Sequence, residues 1–436
     1  MSAFPRVIIF LVGLITLVSA LHLAAENPAV ALLDKSGNPA GFRTLAIGEI
    51  APDFELPGID GRKYRLADFA GPDVLMVLFT SNHCPTSHSI ERRLQKVRDE
   101  LRGRSFGLVA INPNHPEGLS VDELGYGEYG DSFAEMTPYA KSLGWDFPYI
   151  YDGETQLTAR AYGCLATPHV FIFDKERRLQ YAGGFDDSRF LDEGTVKESY
   201  ARDAIEALLA GRPVAVALTK PFGCSTKWRE KHVKHVGWEK AWSEIPVKLA
   251  RIDAVGVANL KKVNSLKKYR FINVWATWCA PCVEEFPVLM EVARKFDMRE
   301  VDFITISMDD PAQSAKAQAF LQKHGAGLTP RKQNSVNKEG RETNHYLYDG
   351  GGAGPLVAAL DSDWPGPLPH TVFIDPDGNV IWRKNGAVDR AEAIGAVLGA
   401  IGNYWVPTAP VVPAPKGAGG PSRANGPVRA AGGKSE

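Results

Sequence analysis

Apolar residues fall in short runs bounded by turn residues, and the clearest runs come in matched pairs. Phe271-Ile272-Asn273-Val274-Trp275 predicts a buried strand, and the amphipathic stretch beyond Cys282 predicts a helix. Further on, Thr371-Val372-Phe373-Ile374 predicts a second strand, Pro376-Asp377-Gly378 a turn, and Asn379-Val380-Ile381-Trp382 the return strand of a hairpin. The same layout occurs earlier. Val74-Leu75-Met76-Val77-Leu78-Phe79 has the pattern of a buried strand, and Pro168-His169-Val170-Phe171-Ile172-Phe173-Asp174 matches Pro369-His370-Thr371-Val372-Phe373-Ile374-Asp375 at an offset of 201 residues (369 − 168). Leu179-Gln180-Tyr181-Ala182 is the return strand of the first copy. A cysteine precedes each proline by a similar interval, 84 residues from Cys84 (168 − 84) and 90 from Cys279 (369 − 279). Two tandem α/β folds are expected, each a mixed central sheet flanked by helices, and 436 residues suit two such domains.

The pattern changes at both ends and in the middle. Arg6 precedes an uncharged run from Val7 to Ala25, and Val18-Ser19-Ala20 offers small residues for cleavage, so 1–25 is a secretory signal or a retained anchor. The run approaches the roughly 20 residues that span a bilayer. Either form delivers the domains outside the cytoplasm. Residues 26–43 are expected to be a linker and 231–254 a solvated connecting segment, while 404–436, rich in Pro, Gly and Ala, is expected to be disordered. Gly350-Gly351-Gly352-Ala353-Gly354 lacks the Lys-Ser/Thr ending of a phosphate loop and is expected to be a flexible insertion. A hydrophobic content of 44% suffices for two cores, and a formal net charge of −1 gives no reason to expect nucleic acid as a partner.

Chemistry concentrates at Trp278-Cys279-Ala280-Pro281-Cys282. A strand ending in Cys-x-x-Cys ahead of a helix puts both sulfurs on the first helical turn, where unpaired N–H groups and the dipole favour a thiolate at Cys279. Cys282 lies about one turn on and can resolve a mixed disulfide. A structural zinc site needs four ligands, and the chain has no second Cys-x-x-Cys; His232 and His235 near Cys224 match no standard spacing. No metal and no cofactor beyond the sulfurs is expected. Five cysteines, two of them in this motif, do not make a disulfide scaffold.

Residues 255–403 resemble the exported thioredoxin-like reductases of the TlpA/ResA type, most closely over Asn273-Val274-Trp275-Ala276-Thr277-Trp278-Cys279-Ala280-Pro281-Cys282-Val283-Glu284-Glu285-Phe286-Pro287. The resemblance implies a thioredoxin fold, a cis bond before Pro369, and a substrate-facing role for Trp278, Leu368 and Pro369. It also implies proton transfer by the acidic residue three positions past the second cysteine, here Glu285. Helix spacing places Glu285 near Cys282, where an apolar setting would raise its pKa; a solvated surface glutamate is the competing reading.

Residues 44–230 resemble the redoxin (AhpC/TSA-like) group through Gly48-Glu49-Ile50-Ala51-Pro52-Asp53-Phe54-Glu55-Leu56 and Leu66-Ala67-Asp68-Phe69. They are also similar to a subgroup with a Cys-Asn-His-Cys-Pro loop and a Gly-Cys-x-x-Lys-Trp motif, here Gly223-Cys224-Ser225-Thr226-Lys227-Trp228. Thr167 and Pro168 are the corresponding substrate-side residues. Ser81 stands where the subgroup has its first loop cysteine, so Cys84 is a lone nucleophile, a partner of Cys164 or Cys224, or an inert core thiol.

The expected activity is thiol–disulfide exchange through Cys279 and Cys282, reducing protein disulfides in the periplasm or at the outer face of the inner membrane, with a membrane electron donor to restore the dithiol. Two other classes fit: a thiol peroxidase centred on Cys84 with the second domain as reductant, and a non-catalytic docking role for the first domain.

Overall fold

In a computed structural model, which describes residues 33–262 and 266–403, the matched runs become two mixed sheets within one compact unit. The first sheet contains β1 (Val74–Phe79), β2 (Phe106–Asn112), β3 (Tyr149–Tyr151), β4 (His169–Phe173) and β5 (Leu179–Gly183), in the order β3-β2-β1-β4-β5. β1, β2 and β3 are parallel, whereas β4 and β5 run antiparallel to their neighbours. Every residue of β1 is buried, as expected of a central strand covered on both faces. Its alternation divides the core. Leu75, Val77 and Phe79 pack with Phe171, Phe173 and Tyr162, while Val74, Met76 and Leu78 pack with Ile90 and Leu94 of helix α1 (Pro85–Glu100) and with Ile205.

The connection between the sheets includes helix α2 (His232–Ser243). The second sheet repeats the plan with one extra edge strand. β6 (Ala250–Ile252), β7 (Tyr269–Trp275), β8 (Val301–Ser307), β9 (His345–Tyr348), β10 (His370–Ile374) and β11 (Val380–Asn385) lie in the order β6-β9-β8-β7-β10-β11. Phe271 and Trp275 face Phe286 and Leu289 of helix α3 (Ala280–Lys295), and Val397 of helix α4 (Arg390–Ile401) packs in the same cluster. Ile272 and Val274 face the opposite side with Leu356 and Leu360.

Three expectations change here. Residues 33–43, within the expected linker, dock on the first domain: Phe42 meets Trp228 edge-on at 5.6 Å, and Trp228 Nε1 donates to Asn38 Oδ1 at 3.4 Å. Part of the connecting segment belongs to the second domain. Trp242 is buried and donates to Gly327 O at 3.2 Å, Val247 enters the core, and β6 pairs in parallel with β9. Parallel pairing between 250–252 and 346–348 is a long-range event that leaves no local signature. The glycine run is an insertion only as far as Gly352, since Ala353–Leu360 is a helix anchored by buried Leu356 and Leu360. The apolar run 7–25 and the tail 404–436 lie outside the described residues. Among the described residues, no helix is long and apolar enough to cross a membrane.

The two sheets meet through the C-terminal end of α3. Arg299 donates to Gly125 O, lies 4.3 Å over the Tyr126 ring, and donates to Ile401 O and Gly402 O at 3.1 and 2.8 Å. His88 Nδ1 bonds Asn403 O at 2.6 Å.

Candidate redox centres

At the end of β7, Cys279 occupies the N-cap of α3 with Pro281 inside the first turn, a position where a missing N–H costs nothing. Cys279 and Cys282 form a disulfide with Cα atoms 5.3 Å apart, and Cys282 N donates to Cys279 Sγ at 3.4 Å. Cys279 retains 7% of its surface, Cys282 none, so only the first sulfur offers an edge to an incoming partner. Trp278 beside it is 63% exposed. The bond before Pro369 is cis; Pro369 is buried and Leu368 half-buried.

Glu285 is almost fully buried on the α3 face that meets β7. Asn273, the polar interruption of the β7 apolar face, donates from Nδ2 to Glu285 Oε1 at 2.9 Å and to Thr371 Oγ1 at 3.0 Å. Val388 N donates to Glu285 Oε2 at 2.7 Å. Burial raises the carboxyl to about 7 against the lowering effect of these two bonds. A group poised near neutrality, three residues from the resolving cysteine, can hold or release a proton during exchange. The approach to the cysteines is braced by a residue that the sequence did not single out. Asp309 is buried and accepts from Thr277 N at 3.2 and 3.1 Å, Thr277 Oγ1 at 2.6 Å and Ser307 Oγ at 2.7 Å. Its only sequence signal is its place just past the end of β8.

In the first domain the same strand-to-helix junction carries Cys84, at the N-cap of α1 with Pro85 following. Cys84 is fully buried and donates to Thr167 O at 3.0 Å, beside the cis Thr167–Pro168 bond. Ser81 bonds Thr167 Oγ1 at 2.9 Å. A short antiparallel pair, Ala166–Thr167 with Cys224–Ser225, sets Thr167 opposite Cys224, and Cys224 N donates to Cys84 Sγ at 3.4 Å. Burial pushes the Cys84 thiol up, but the hydrogen bond from the Cys224 thiol and the charge of His83 outweigh it and hold it well below the usual range. Cys164 bonds Ala166 O at 3.3 Å and Thr226 Oγ1 at 3.5 Å; burial pushes it up to about 12. The structure thus gathers Cys84, Thr167 and Cys224, and leaves Cys164 with other partners. His83, buried next to Cys84, donates from Nδ1 to Asp131 Oδ2 at 2.5 Å, and Asp131 also accepts from Asn82 N and Asn114 Nδ2, both at 2.7 Å.

The AhpC/TSA family model matches residues 47–182 and the Redoxin model matches residues 256–398. Among curated proteins, the chain is 25% identical over 136 residues to thiol-disulfide oxidoreductase ResA of Geobacillus thermodenitrificans (strain NG80-2), covering 31% of this chain and 68% of that protein. It is 24% identical over 121 residues to ResA of Bacillus subtilis (strain 168), covering 28% and 55%. Among solved structures, a hypothetical protein from Sinorhizobium meliloti 1021 is 34% identical, covering 43% of this chain and 97% of that one, with a TM-score of 0.38. An uncharacterized conserved protein from Geobacillus kaustophilus is 36% identical, covering 43% and 94%, also with a TM-score of 0.38.

Proposed function

This chain is a tandem thioredoxin-superfamily protein and a thiol–disulfide oxidoreductase, and on that basis we propose that its second domain reduces disulfides of proteins outside the cytoplasm. The observation that carries the reading is the Cys279–Cys282 disulfide at a helix N-terminus, with one edge open and a buried carboxyl near neutrality on the same helix. In the reduced enzyme, Cys279 as thiolate attacks one sulfur of the substrate disulfide, and the other leaves as a thiolate that takes a proton. Cys282, losing its proton, then attacks Cys279 Sγ, restoring the enzyme disulfide and releasing the second substrate thiol. Glu285 is the proposed acceptor of the Cys282 proton. Exposed Trp278, half-buried Leu368 and buried Pro369 form the proposed platform against which substrate chain lies. In the first domain, Thr167 and Pro168 occupy the corresponding places.

Two electrons must reach the pair for each turnover, and in this reading a membrane donor supplies them. The uncharged run 7–25 supports export as a signal or an anchor. The test is in two arms. Reduced chain should reduce a disulfide-bonded protein substrate, and Cys279→Ser should abolish that activity; undiminished activity in the variant overturns the mechanism. Cell fractionation should place the chain outside the cytoplasm, and full-length chain in the soluble cytosol overturns the location.

A further inference from the structure

We propose that Cys84 and Cys224 are a second redox pair, a dithiol that closes to a disulfide by exchange with small disulfides and independently of Cys279 and Cys282. Cys84 and Cys224 are 140 residues apart in sequence, yet the Ala166–Thr167/Cys224–Ser225 pairing sets Cys224 against Thr167, whose carbonyl binds the Cys84 thiol at 3.0 Å. Cys224 N lies 3.4 Å from Cys84 Sγ and the two thiols hydrogen-bond each other, so the sulfurs already lie side by side. Gly223 makes the approach possible: at φ +157° its own Cβ, were there one, would sit 2.0 Å from Thr167 O.

The surroundings suit exchange chemistry. The two thiols interact, with Cys84 held toward the thiolate and Cys224 toward the thiol, a division into attacking and resolving sulfurs. His83 supplies charge beside Cys84, is oriented by Asp131, and leaves a buried Nε2 without a hydrogen-bond partner among the described residues. Lys227, paired with Glu123, faces Cys224 from the same motif.

Access decides the substrate class. Cys84 is fully buried and Cys224 half-buried, so a folded protein cannot seat its disulfide on Cys84, and a disulfide that exchanges with the pair must be small.

Cys84 thiolate attacks one sulfur of the small disulfide, expelling one thiolate, which is protonated. Cys224 then attacks Cys84 Sγ, losing its proton and expelling the second thiolate, which is protonated in turn. Two electrons pass from the pair to the reagent, Cys224 gives up one proton and solvent supplies the other, and a Cys84–Cys224 bond replaces the reagent's S–S bond.

Full-length reduced protein is incubated with excess hydroxyethyl disulfide, alkylated under denaturing conditions, and mapped by mass spectrometry without reduction. The expected product carries a Cys84–Cys224 linkage alongside Cys279–Cys282, with Cys164 alkylated. Cys164→Ser should leave the linkage intact, and Cys279→Ser/Cys282→Ser should form it at the wild-type rate. A Cys84–Cys164 linkage overturns the proposal. So does free Cys84 and Cys224 in protein whose Cys279–Cys282 pair is fully oxidised, or loss of the linkage in the double variant. Because the double variant lacks the second domain's chemistry, failure here and failure of the proposed reductase role are read separately.

Discussion

Replacing Glu285 by Gln should remove a pH dependence that the wild-type protein carries in its oxidised form. The side chain is 4% exposed, and burial raises its carboxyl from an ordinary 4.5 to about 7. A carboxyl with a raised folded-state value binds its proton more tightly in the folded protein. Its contribution is therefore fully present below about pH 4.5 and is lost as pH rises through about 7. At about 1.36 kcal/mol per pH unit, the loss is about 3 kcal/mol between those limits. The substituted amide stays neutral throughout, and the site has room for its extra donor. Asn273 Oδ1 is buried without a hydrogen-bond partner among the described residues, and a flip of that amide presents it to the nitrogen of the new side chain. The same flip would serve protonated Glu285. The assay is urea unfolding of oxidised wild type and Glu285→Gln at pH 4.5, 6, 7 and 8, reported as wild type minus variant so that other titrating groups cancel. That difference should fall by about 3 kcal/mol from the lowest pH to the highest. A flat difference, or one that rises with pH, refutes the buried neutral carboxyl and its role as a proton acceptor. In the reduced enzyme, the pH–rate profile of disulfide reduction should lose its inflection near 7 in the same variant.

Alkylation of reduced protein at mildly acidic pH should label Cys279 before Cys282, because only Cys279 keeps exposed surface; mass mapping that finds Cys282 labelled first contradicts the assignment of roles. Asp309→Ala strips Thr277 N, Thr277 Oγ1 and Ser307 Oγ of their shared acceptor. It should cost about 3 kcal/mol in urea unfolding, and a loss below about 0.5 kcal/mol would show that the brace is dispensable. Gly125→Ala puts a Cβ 2.4 Å from Lys295 O at the contact between the two sheets. Faster tryptic cleavage within 231–249 and a larger radius of gyration are expected, and unchanged values would mean that the contact yields without separating the domains.

The fold was legible because both copies announce themselves locally. An all-buried strand such as β1, a cysteine followed by Pro85 or Pro281 at a helix start, and the Pro-His strands at 168 and 369 are written in contiguous residues, so pattern alone yields the duplicated α/β plan. The helix position of Cys279 and Cys282 likewise follows from local geometry. What the chain could not declare depends on segments that meet only after folding. Whether Glu285 is solvated or buried is settled by Asn273 on β7 and by the Val388 backbone, 103 residues away. Asp309 acts on Thr277 across the sheet, and β6 joins β9 by a parallel pairing that has no sequence period of its own. Between Cys164 and Cys224 as neighbours of Cys84, sequence separation even favours the wrong one. Two residues of antiparallel pairing, Thr167 with Cys224 and Ala166 with Ser225, bring the more distant cysteine to Cys84. Sequence fixes which sulfurs exist and which begin helices; hydrogen bonds between remote backbones decide which sulfurs meet.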